Sequence, residues 1–431
     1  MGTLPPGPSE PPLVQTLRWL LRPISFLESC RRRYGDAFSV SFLGFQTPMV
    51  MLSDPDAIRA LYSVPGHTLP PGRTIALQPI VGSRSLLLLE GREHLARRKL
   101  MLPPFHGERM RAYEAIVREA TEREIGGWDG RVFAAHPRMQ AITLEVILRA
   151  VFGVTDPARR TQLADGLGQL LAGTASSTLQ FSVLLSRRLG GPDPLARLET
   201  LRHEIDTLLG AEIAERRADP REDILSLLVS ARFEDGEPMD DAEVRDQLMT
   251  LLLAGHETTA TGLAWTFDLL LRHPRVLARL TAAIEAGEER YVRAVVSEAL
   301  RLRPVVPLAG RRLSQELRLN GHVLAVGTDV TPAIWLAHTR ADRYPEPYAF
   351  RPERFLDDAP ATYAWIPFGG GVRRCLGAAF AEMEMRVALA EILSRRTLRP
   401  ASSTAERVAR RNVTFSPRHG TRVVVGRRAV A

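Results

Sequence analysis

The residues best suited to chemistry lie in one glycine-rich stretch near the C-terminus, Phe-Gly-Gly-Gly-Val-Arg-Arg-Cys-Leu-Gly, from Phe368 to Gly377. Its glycines allow positive φ and let the backbone pass close to a flat partner. A run without helix breakers follows Cys375, so this thiol is expected at or just before a helix N-terminus, where free N–H groups stabilise a thiolate. Arg373 adds a cation suited to a carboxylate on the same bound group.

Two other interpretations of this stretch are a structural cysteine and a phosphate loop. A lone cysteine is usually a small buried hydrophobe, and glycine-rich turns before helices often hold phosphates. No Gly-Lys-Ser/Thr follows the glycines, so a P-loop is excluded as a motif.

The stretch resembles the haem-binding loop of the cytochrome P450 family, whose pattern is Phe-x-x-Gly-x-Arg-x-Cys-x-Gly. Every fixed position is matched, by Phe368, Gly371, Arg373, Cys375 and Gly377. The resemblance implies that Cys375 is the axial ligand of the iron of haem b. It also implies that the loop around it, including Phe368, Gly369 and Gly377, contacts the cofactor.

A second candidate site lies in the long helix predicted from Asp240 to about Arg272, in the segment Ala-Gly-His-Glu-Thr-Thr that starts at Ala254. Glycine inside a helix costs about 1 kcal/mol relative to alanine, and threonines compete for backbone carbonyls. We expect such a violation where function needs a distortion, such as a widened turn. The segment resembles the family's oxygen-activation motif, which implies that Glu257 and Thr258 are the acid–alcohol pair and that Ala254 contacts the cofactor.

Cations in other parts of the chain are the expected partners of the haem propionates. His94 and Arg98 are one helical turn apart, a pair that as bare chemistry is more often on a surface. In the family, an aromatic residue or histidine and the arginine four residues after it contact the propionates. The resemblance therefore assigns His94 and Arg98 to the propionates, together with Arg373 of the cysteine loop. The extended segment 305–312 supplies one further arginine, for which Arg311 is favoured over Arg312.

A third motif has a structural role. Glu298 and Arg301 form an i,i+3 pair, which alone is unremarkable on a helix surface. The pair resembles the family's Glu-x-x-Arg motif, and Arg354 stands where a later arginine completes a buried triad. Such a triad fixes the loop that holds Cys375 more than it adds net stability.

Composition indicates a chain that can bury a large core, and it does not favour a nucleic-acid-binding protein. The 431 residues are 45% hydrophobic, and no linker, repeat or low-complexity tract divides them. The net charge of +8 comes almost wholly from arginines, which are scattered along amphipathic helices without a recognition module, so no nucleic-acid partner is predicted. Cys30 and Cys375 are far apart in dissimilar settings, which suits a reducing cytosol. No apolar run of about 18 residues occurs, so no integral membrane anchor is predicted.

The predicted fold is mainly α with small β-sheets (α+β), in the cytochrome P450 fold. A proline-rich arm and short helix (residues 1–33) precede a single haem domain (34–431). Further expectations are a helix over 17–33, a hairpin over 37–52, a loop over 64–91, helices over 110–246 with a substrate lid at 163–189, a hairpin at 317–330, and strands at 413–417 and 421–425. The resemblance places Val306, Leu308 and Val413 in the substrate pocket.

The predicted reaction is monooxygenation of an apolar or amphipathic organic molecule with O2 as co-substrate. No flavin, nicotinamide or iron–sulfur motif is found in the chain, so electrons are expected from a ferredoxin, or a flavodoxin, with its reductase. Two alternatives are a peroxygenase or isomerase of the same fold and a non-enzymatic haem-thiolate sensor or carrier. The acid–alcohol pair argues against the first alternative, and the lack of a separate sensor segment argues against the second.

Cys375→Ser should abolish the red-shifted absorption band that thiolate ligation gives the reduced carbon monoxide complex, and it should lower haem content. Cys30→Ser is the control and should change neither property. An unchanged band in Cys375→Ser would exclude this thiol as the ligand.

Overall fold

Helices make up most of the computed structural model, which describes residues 4–64, 73–128, 130–175, 196–319, 321–357, 360–411 and 413–427. The helices are α1 Pro12–Leu21, α2 Pro23–Tyr34, α3 Pro55–Ser63, α4 Arg73–Val81, α5 Gly91–Met101, α6 Arg109–Ile125, α7 Ala135–Val146, α8 Pro157–Ala175, α9 Ala196–Ala218, α10 Ile224–Ser230, α11 Asp241–Arg272, α12 Pro274–Glu285, α13 Glu289–Leu302, α14 Ile334–His338, α15 Arg354–Asp357 and α16 Ala378–Arg395.

The described strands form four small sheets. They are β1 Ala37–Val40, β2 Met49–Leu52, β3 Val132–Ala134, β4 Arg311–Arg312, β5 Leu317–Leu319, β6 His322–Leu324, β7 Asp329–Pro332, β8 Arg396–Pro400, β9 Val408–Arg411, β10 Thr414–Pro417 and β11 Arg422–Arg427. The largest sheet has the order β1-β2-β7-β4, in which β2 and β7 are parallel. The others are β3-β11-β8 and the antiparallel pairs β5–β6 and β9–β10.

Helix α11 is the central element of the main core, and it covers the residues predicted for it from the sequence. Asp240 caps it by accepting a hydrogen bond from the Glu243 N–H at 2.8 Å, which satisfies one of the otherwise unpaired donors of the first turn. Its apolar residues pack in one cluster with those of α6, α7, α13 and α16. The predicted mainly α fold with small sheets in one domain is therefore confirmed.

The widened turn expected in α11 is not present, because the helix is regular α from Asp241 to Arg272. A π turn lies instead at Ile147–Val151, at the end of α7. A Cβ on Gly255 would lie 3.2 Å from Ile147 Cδ1, tighter than ordinary van der Waals contact. Gly255 therefore allows α11 to pack closely against this π turn.

Two other expectations about the N-terminal third are wrong. The single helix over 17–33 is two helices, because the chain bends at Arg22 before Pro23 starts α2. The expected loop over 64–91 contains α4, which ends where Asp246 of α11 accepts the Arg84 N–H at 3.0 Å. The first part of that segment, 65–72, lies outside the described residues.

Several sequence predictions are confirmed at the level of local structure. The hairpins form as β1–β2 and β5–β6, and the last predicted strands form as β10 and β11. Strand β3 is an addition that the sequence did not predict. Most of the expected lid over 163–189 lies outside the described residues, which end at 175 and resume at 196. Among the described residues, no helix is long and apolar enough to cross a membrane.

Candidate active site

The cysteine loop has the local geometry that its glycines predict. Gly369 and Gly371 take positive φ, +66° and +64°, and a 3₁₀ turn covers Gly371–Arg373. The Cys375 N–H donates to the Phe368 carbonyl at 2.9 Å, which closes the loop, and α16 then begins at Ala378. The thiol is thus presented just before a helix N-terminus.

The two cysteines lie in different environments. The Cys375 residue is exposed, yet the protein atoms around its sulfur raise the pKa of the thiol by desolvation, against the lowering effects of the Gly377 N–H, Arg374 and Arg98. A coordinated metal ion would outweigh that penalty and deprotonate the thiol. Burial raises the pKa of Cys30 to about 11. Cys30 lies on α2 and packs as a small apolar side chain in a hydrophobic cluster.

Close packing behind the loop explains its central glycine. A Cβ on Gly370 would lie 2.7 Å from the Tyr62 ring, too short for a real side chain, and 3.0 Å from the Tyr363 ring, tighter than most real contacts. The Tyr62 ring also faces the Arg311 guanidinium, 5.4 Å from the ring centroid. Tyr62 therefore connects the cysteine loop with the segment that carries Arg311.

The structure brings the four predicted propionate ligands together. His94 is buried, and its pKa is lowered to about 4 by burial and by the positive charges of Arg373, Arg98 and Arg311. Arg373 also donates to the Leu89 carbonyl. We call His94, Arg98, Arg311 and Arg373 the cationic cradle.

The cationic cradle fits a bound group that carries carboxylates. Burial lowers the pKa of both Arg98 and Arg311, and no carboxylate of the described residues opposes it. A buried guanidinium is costly unless it is paired. The two propionates of haem b would supply the missing negative charge next to Cys375.

The choice between Arg311 and Arg312 follows from strand register. Arg312 lies opposite Asp329 in the β4–β7 pair and binds both oxygens of its carboxylate, at 2.8 and 2.9 Å. Arg311 lies opposite Val330 and points to the other face of the strand pair, where it donates to the Gly310 carbonyl at 2.8 Å. Arg312 is therefore already paired, and Arg311 is the candidate propionate ligand.

Two members of the predicted structural triad, Glu298 and Arg301, form a fully buried ion pair, and Arg354 lies at its edge. The Arg301 guanidinium donates to both oxygens of Glu298, at 2.6 and 2.8 Å, and both side chains are inaccessible to solvent. Arg354 Nε lies 3.4 Å from Glu298 Oε1. Arg301 also donates to backbone carbonyls, those of His338, Pro347 and Ala349. Breaking such a buried pair costs about 3–5 kcal/mol.

His338 connects this triad to the cysteine loop. Its Nδ1 lies 3.1 Å from the Arg301 carbonyl oxygen, and its Nε2 accepts the Ile366 N–H at 2.8 Å. Burial lowers the pKa of His338 to about 3, so the ring is neutral, with its proton on Nδ1. The sequence analysis missed His338; its only signal is a lone histidine at the end of the apolar segment 334–337.

The acid of the predicted acid–alcohol pair is held by helix α7. The Glu257 carboxylate accepts from Gln140 Nε2 at 2.6 Å and from Thr261 Oγ1 at 3.3 Å, and it lies 3.4 Å from His136 Nε2. Burial acts to raise the pKa of Glu257, but these hydrogen bonds and the charges of His136 and His256 lower it overall. Glu257 is therefore ionised at neutral pH.

The two residues after Glu257 are also hydrogen-bonded, Thr258 within α11 and Thr259 to a glutamate of another helix. The Thr258 hydroxyl donates to the Ala254 carbonyl at 2.5 Å, which fixes its orientation on α11. The following residue, Thr259, hydrogen-bonds with Glu384 of α16, whose pKa burial raises to about 8. A neutral carboxylic acid thus lies beside the predicted motif. Sequence reasoning missed Glu384, since a glutamate within a helix gives no sign of burial.

The predicted substrate-pocket residues are not equivalent. Val306 and Leu308 are half-buried between α13 and β4, and Leu308 forms a bridge with Ala333. Val413 lies at the turn between β9 and β10 with 64% of its surface exposed. Its side chain is available to solvent, so the structure favours Val306 and Leu308 over Val413 as lining residues.

Comparison with known proteins identifies the family. The family model described as cytochrome P450 matches residues 5–420. The chain belongs to the cytochrome P450 family. Its relatives include the Mycobacterium tuberculosis proteins named "Putative cytochrome P450 135B1", 42% identical over 98% of this chain and 91% of that protein, and "Putative cytochrome P450 138", 38% identical over 99% and 97%.

Solved cytochrome P450 structures share the fold. The retinoic acid-bound cyanobacterial CYP120A1 is 24% identical and superposes with a TM-score of 0.85, covering 99% of this chain and all of that one. The haem domain of cytochrome P450DA is 23% identical, with a TM-score of 0.87 over 99% and 98% of the two chains. Membership makes this chain an oxidoreductase of the monooxygenase class that uses haem b, O2, an organic substrate and a redox partner.

His338→Ala should remove the connection between Arg301 and the cysteine loop and reduce the red-shifted carbon monoxide band several-fold. The physical reason is that the Ile366 N–H and the Arg301 carbonyl both lose their buried partner, which costs about 1–3 kcal/mol each. The matched control is Thr339→Val, which removes a neighbouring buried hydroxyl that bonds only to carbonyls of α14. An unchanged band position and haem content in His338→Ala would contradict the positioning role.

Proposed function

We propose that this cytochrome P450 inserts one oxygen atom from O2 into an apolar or amphipathic organic substrate, using electrons delivered by a separate protein. The observation that supports this most directly is the cationic cradle beside the Cys375 loop. Within it, Arg311 is buried and Arg98 is half-buried, and no carboxylate of the described residues offsets the burial of these two guanidinium groups, so an anionic ligand would stabilise both.

Each residue of the site then has a proposed task. Cys375 would ligate the iron, the cationic cradle would hold the propionates, and the loop from Phe368 to Gly377 would pass along the cofactor, with Ala254 of α11 facing it. When bound, haem with a thiolate ligand supplies the chemistry of oxygen activation, because the thiolate pushes electron density towards the iron and favours O–O cleavage.

Proton delivery is the proposed task of Glu257 and Thr258. The Thr258 hydroxyl is held by the Ala254 carbonyl and can donate or accept a proton at Oγ1. Gln140 and His136 help to lower the pKa of Glu257, so its carboxylate would hold a proton only transiently while passing it from solvent to the site. This is general-acid work, which needs a positioned hydroxyl and a carboxylate.

Thr258→Ala should retain haem and substrate binding but divert electrons into peroxide, lowering product formed per electron by about 10²–10⁴-fold. Thr258→Ser should restore coupling, because it keeps the hydroxyl. Thr266→Ala is the matched control: Thr266 is on the same helix, and its hydroxyl makes the same i−4 bond to a carbonyl, that of Gly262, at 2.8 Å. Wild-type coupling in Thr258→Ala would exclude the relay.

A small acidic ferredoxin, or a flavodoxin, with its reductase is the proposed electron donor. Arg374 is exposed next to Cys375 and would supply positive charge to a docking face there. Two cations of α5 are already paired, Arg97 with Glu243 at 2.7 Å and Lys99 with Glu234 at 2.8 Å. Electrostatic attraction of an acidic redox partner would therefore depend on Arg374 more than on Arg97 or Lys99.

Arg374→Glu should slow reduction of the haem by a ferredoxin about tenfold or more at low salt, and the difference should shrink as salt screens the charges. Arg318→Glu is the control, since Arg318 is an exposed arginine of β5 and not of the cysteine loop. Equal reduction rates for Arg374→Glu and wild type at all salt concentrations would place the docking face elsewhere.

A further inference from the structure

The C-terminal part of the chain is rich in arginine, and the proposed function gives these arginines no task. The segment from Arg395 to Ala431 contains ten arginines and a single acidic side chain, that of Glu406. A solvated face is the usual explanation of such a run. The fold, however, gathers several of these arginines around one groove.

The groove lies between the last turn of α11 and two loops, one joining β8 to β9 and the other joining β10 to β11. Its volume is about 580 Å³, within the range of roughly 300–1,000 Å³ that is typical of small-molecule sites. We call it the arginine groove. Its arginines and carboxylates are Asp268, Arg272, Glu406, Arg407, Arg418 and Arg422.

The two carboxylates of the arginine groove are already engaged. Asp268 is buried and accepts a hydrogen bond from Arg272 Nε at 3.0 Å. The Glu406 side chain is only 7% exposed, and it accepts the N–H groups of His419 and Thr421 at 2.9 and 3.0 Å. These contacts hold both carboxylates in the wall of the groove.

The other three arginines have no such partner. Arg407, Arg418 and Arg422 are exposed and form no ion pair with any of the described residues. Their backbones are nevertheless fixed: the Arg418 N–H donates to the Arg407 carbonyl at 2.9 Å, and the Ala401 N–H donates to the Arg422 carbonyl at 3.0 Å. With four arginines against two carboxylates, the groove has an excess of two positive charges.

A strained residue fixes the loop between β10 and β11. Thr421 has a φ of 56°, a left-handed conformation that is uncommon for a β-branched residue. It is buried, and its hydroxyl donates to the Ala264 carbonyl of α11 at 2.9 Å. Residues held in such conformations cluster at ligand-binding and active sites. The hydrogen bonds of Thr421 to α11 and Glu406 preform this side of the groove.

The charge and shape of the arginine groove select the chemistry of its ligand. Guanidinium groups bind phosphate oxygens in a bidentate manner, and a phosphate monoester carries close to two negative charges at neutral pH. Leu271, Pro400 and Ala405 add apolar surface for an organic body. The limited volume favours a small molecule over an extended acidic polypeptide.

We propose that the arginine groove binds a small organic molecule that carries a phosphate monoester. None of the residues assigned to the haem, the proton relay or the structural triad lines this groove. The proposal therefore goes beyond the proposed function and does not depend on it.

The test is titration calorimetry of the haem-loaded full chain with phenyl phosphate, at neutral pH and with chloride used to keep the ionic strength constant. We expect phenyl phosphate to bind, and inorganic phosphate to bind more weakly because it lacks the apolar body. Arg407→Gln combined with Arg418→Gln should weaken binding of phenyl phosphate about tenfold or more. The matched control is Arg32→Gln combined with Arg33→Gln, which removes the same charge at exposed arginines of α2 outside the groove.

Four outcomes would overturn the proposal. The first is an absence of phenyl phosphate binding to the wild-type chain, and the second is an unchanged affinity in the groove variant. The third is an equal loss of affinity in both double variants, which would mean that net charge alone decides binding. The fourth is tighter binding of polyglutamate than of phenyl phosphate, which would assign the groove to an acidic protein. An intact carbon monoxide band in every variant separates these outcomes from loss of the haem site.

Discussion

The buried Arg301 guanidinium is the point at which the cysteine loop is fixed to the helical core. It bonds both oxygens of Glu298 and the carbonyls of three later residues of the chain. A buried ion pair adds little net stability, but it strongly disfavours arrangements in which one partner is left alone. Here the ion pair specifies one backbone conformation for residues 338–349. The hydrogen bond of His338 extends this constraint to Ile366.

The sequence predicted those parts of the site that are encoded locally. The glycines around Cys375, the cap at Asp240 and the spacing of Glu298 and Arg301 each restrict the backbone within a few residues. Contacts made by tertiary packing were missed, because nothing near them in the chain indicates a partner. Glu384 beside Thr259 and Gln140 on Glu257 are of this kind.

The limit of prediction from sequence is clearest for neighbouring residues of the same type. Arg311 and Arg312 differ only in which side of β4 they occupy, and the register with β7 decides that Arg312 meets Asp329. Gly255 is anomalous within a helix, but its role is not the expected widened turn: it permits contact with Ile147. Likewise, a net charge of +8 gives no indication that Arg97 and Lys99 are paired with glutamates.

The parallel pairing of β2 with β7 has a consequence for the order in which the protein can fold during synthesis. Met49 pairs with Asp329 and Leu52 with Pro332, so the first hairpin acquires its neighbouring strand only when three quarters of the chain has left the ribosome. A two-stranded hairpin alone is marginal in water, and such non-local pairing forms slowly. The uncharged segment from Ala37 to Ser53 thus lacks its parallel neighbour during most of translation.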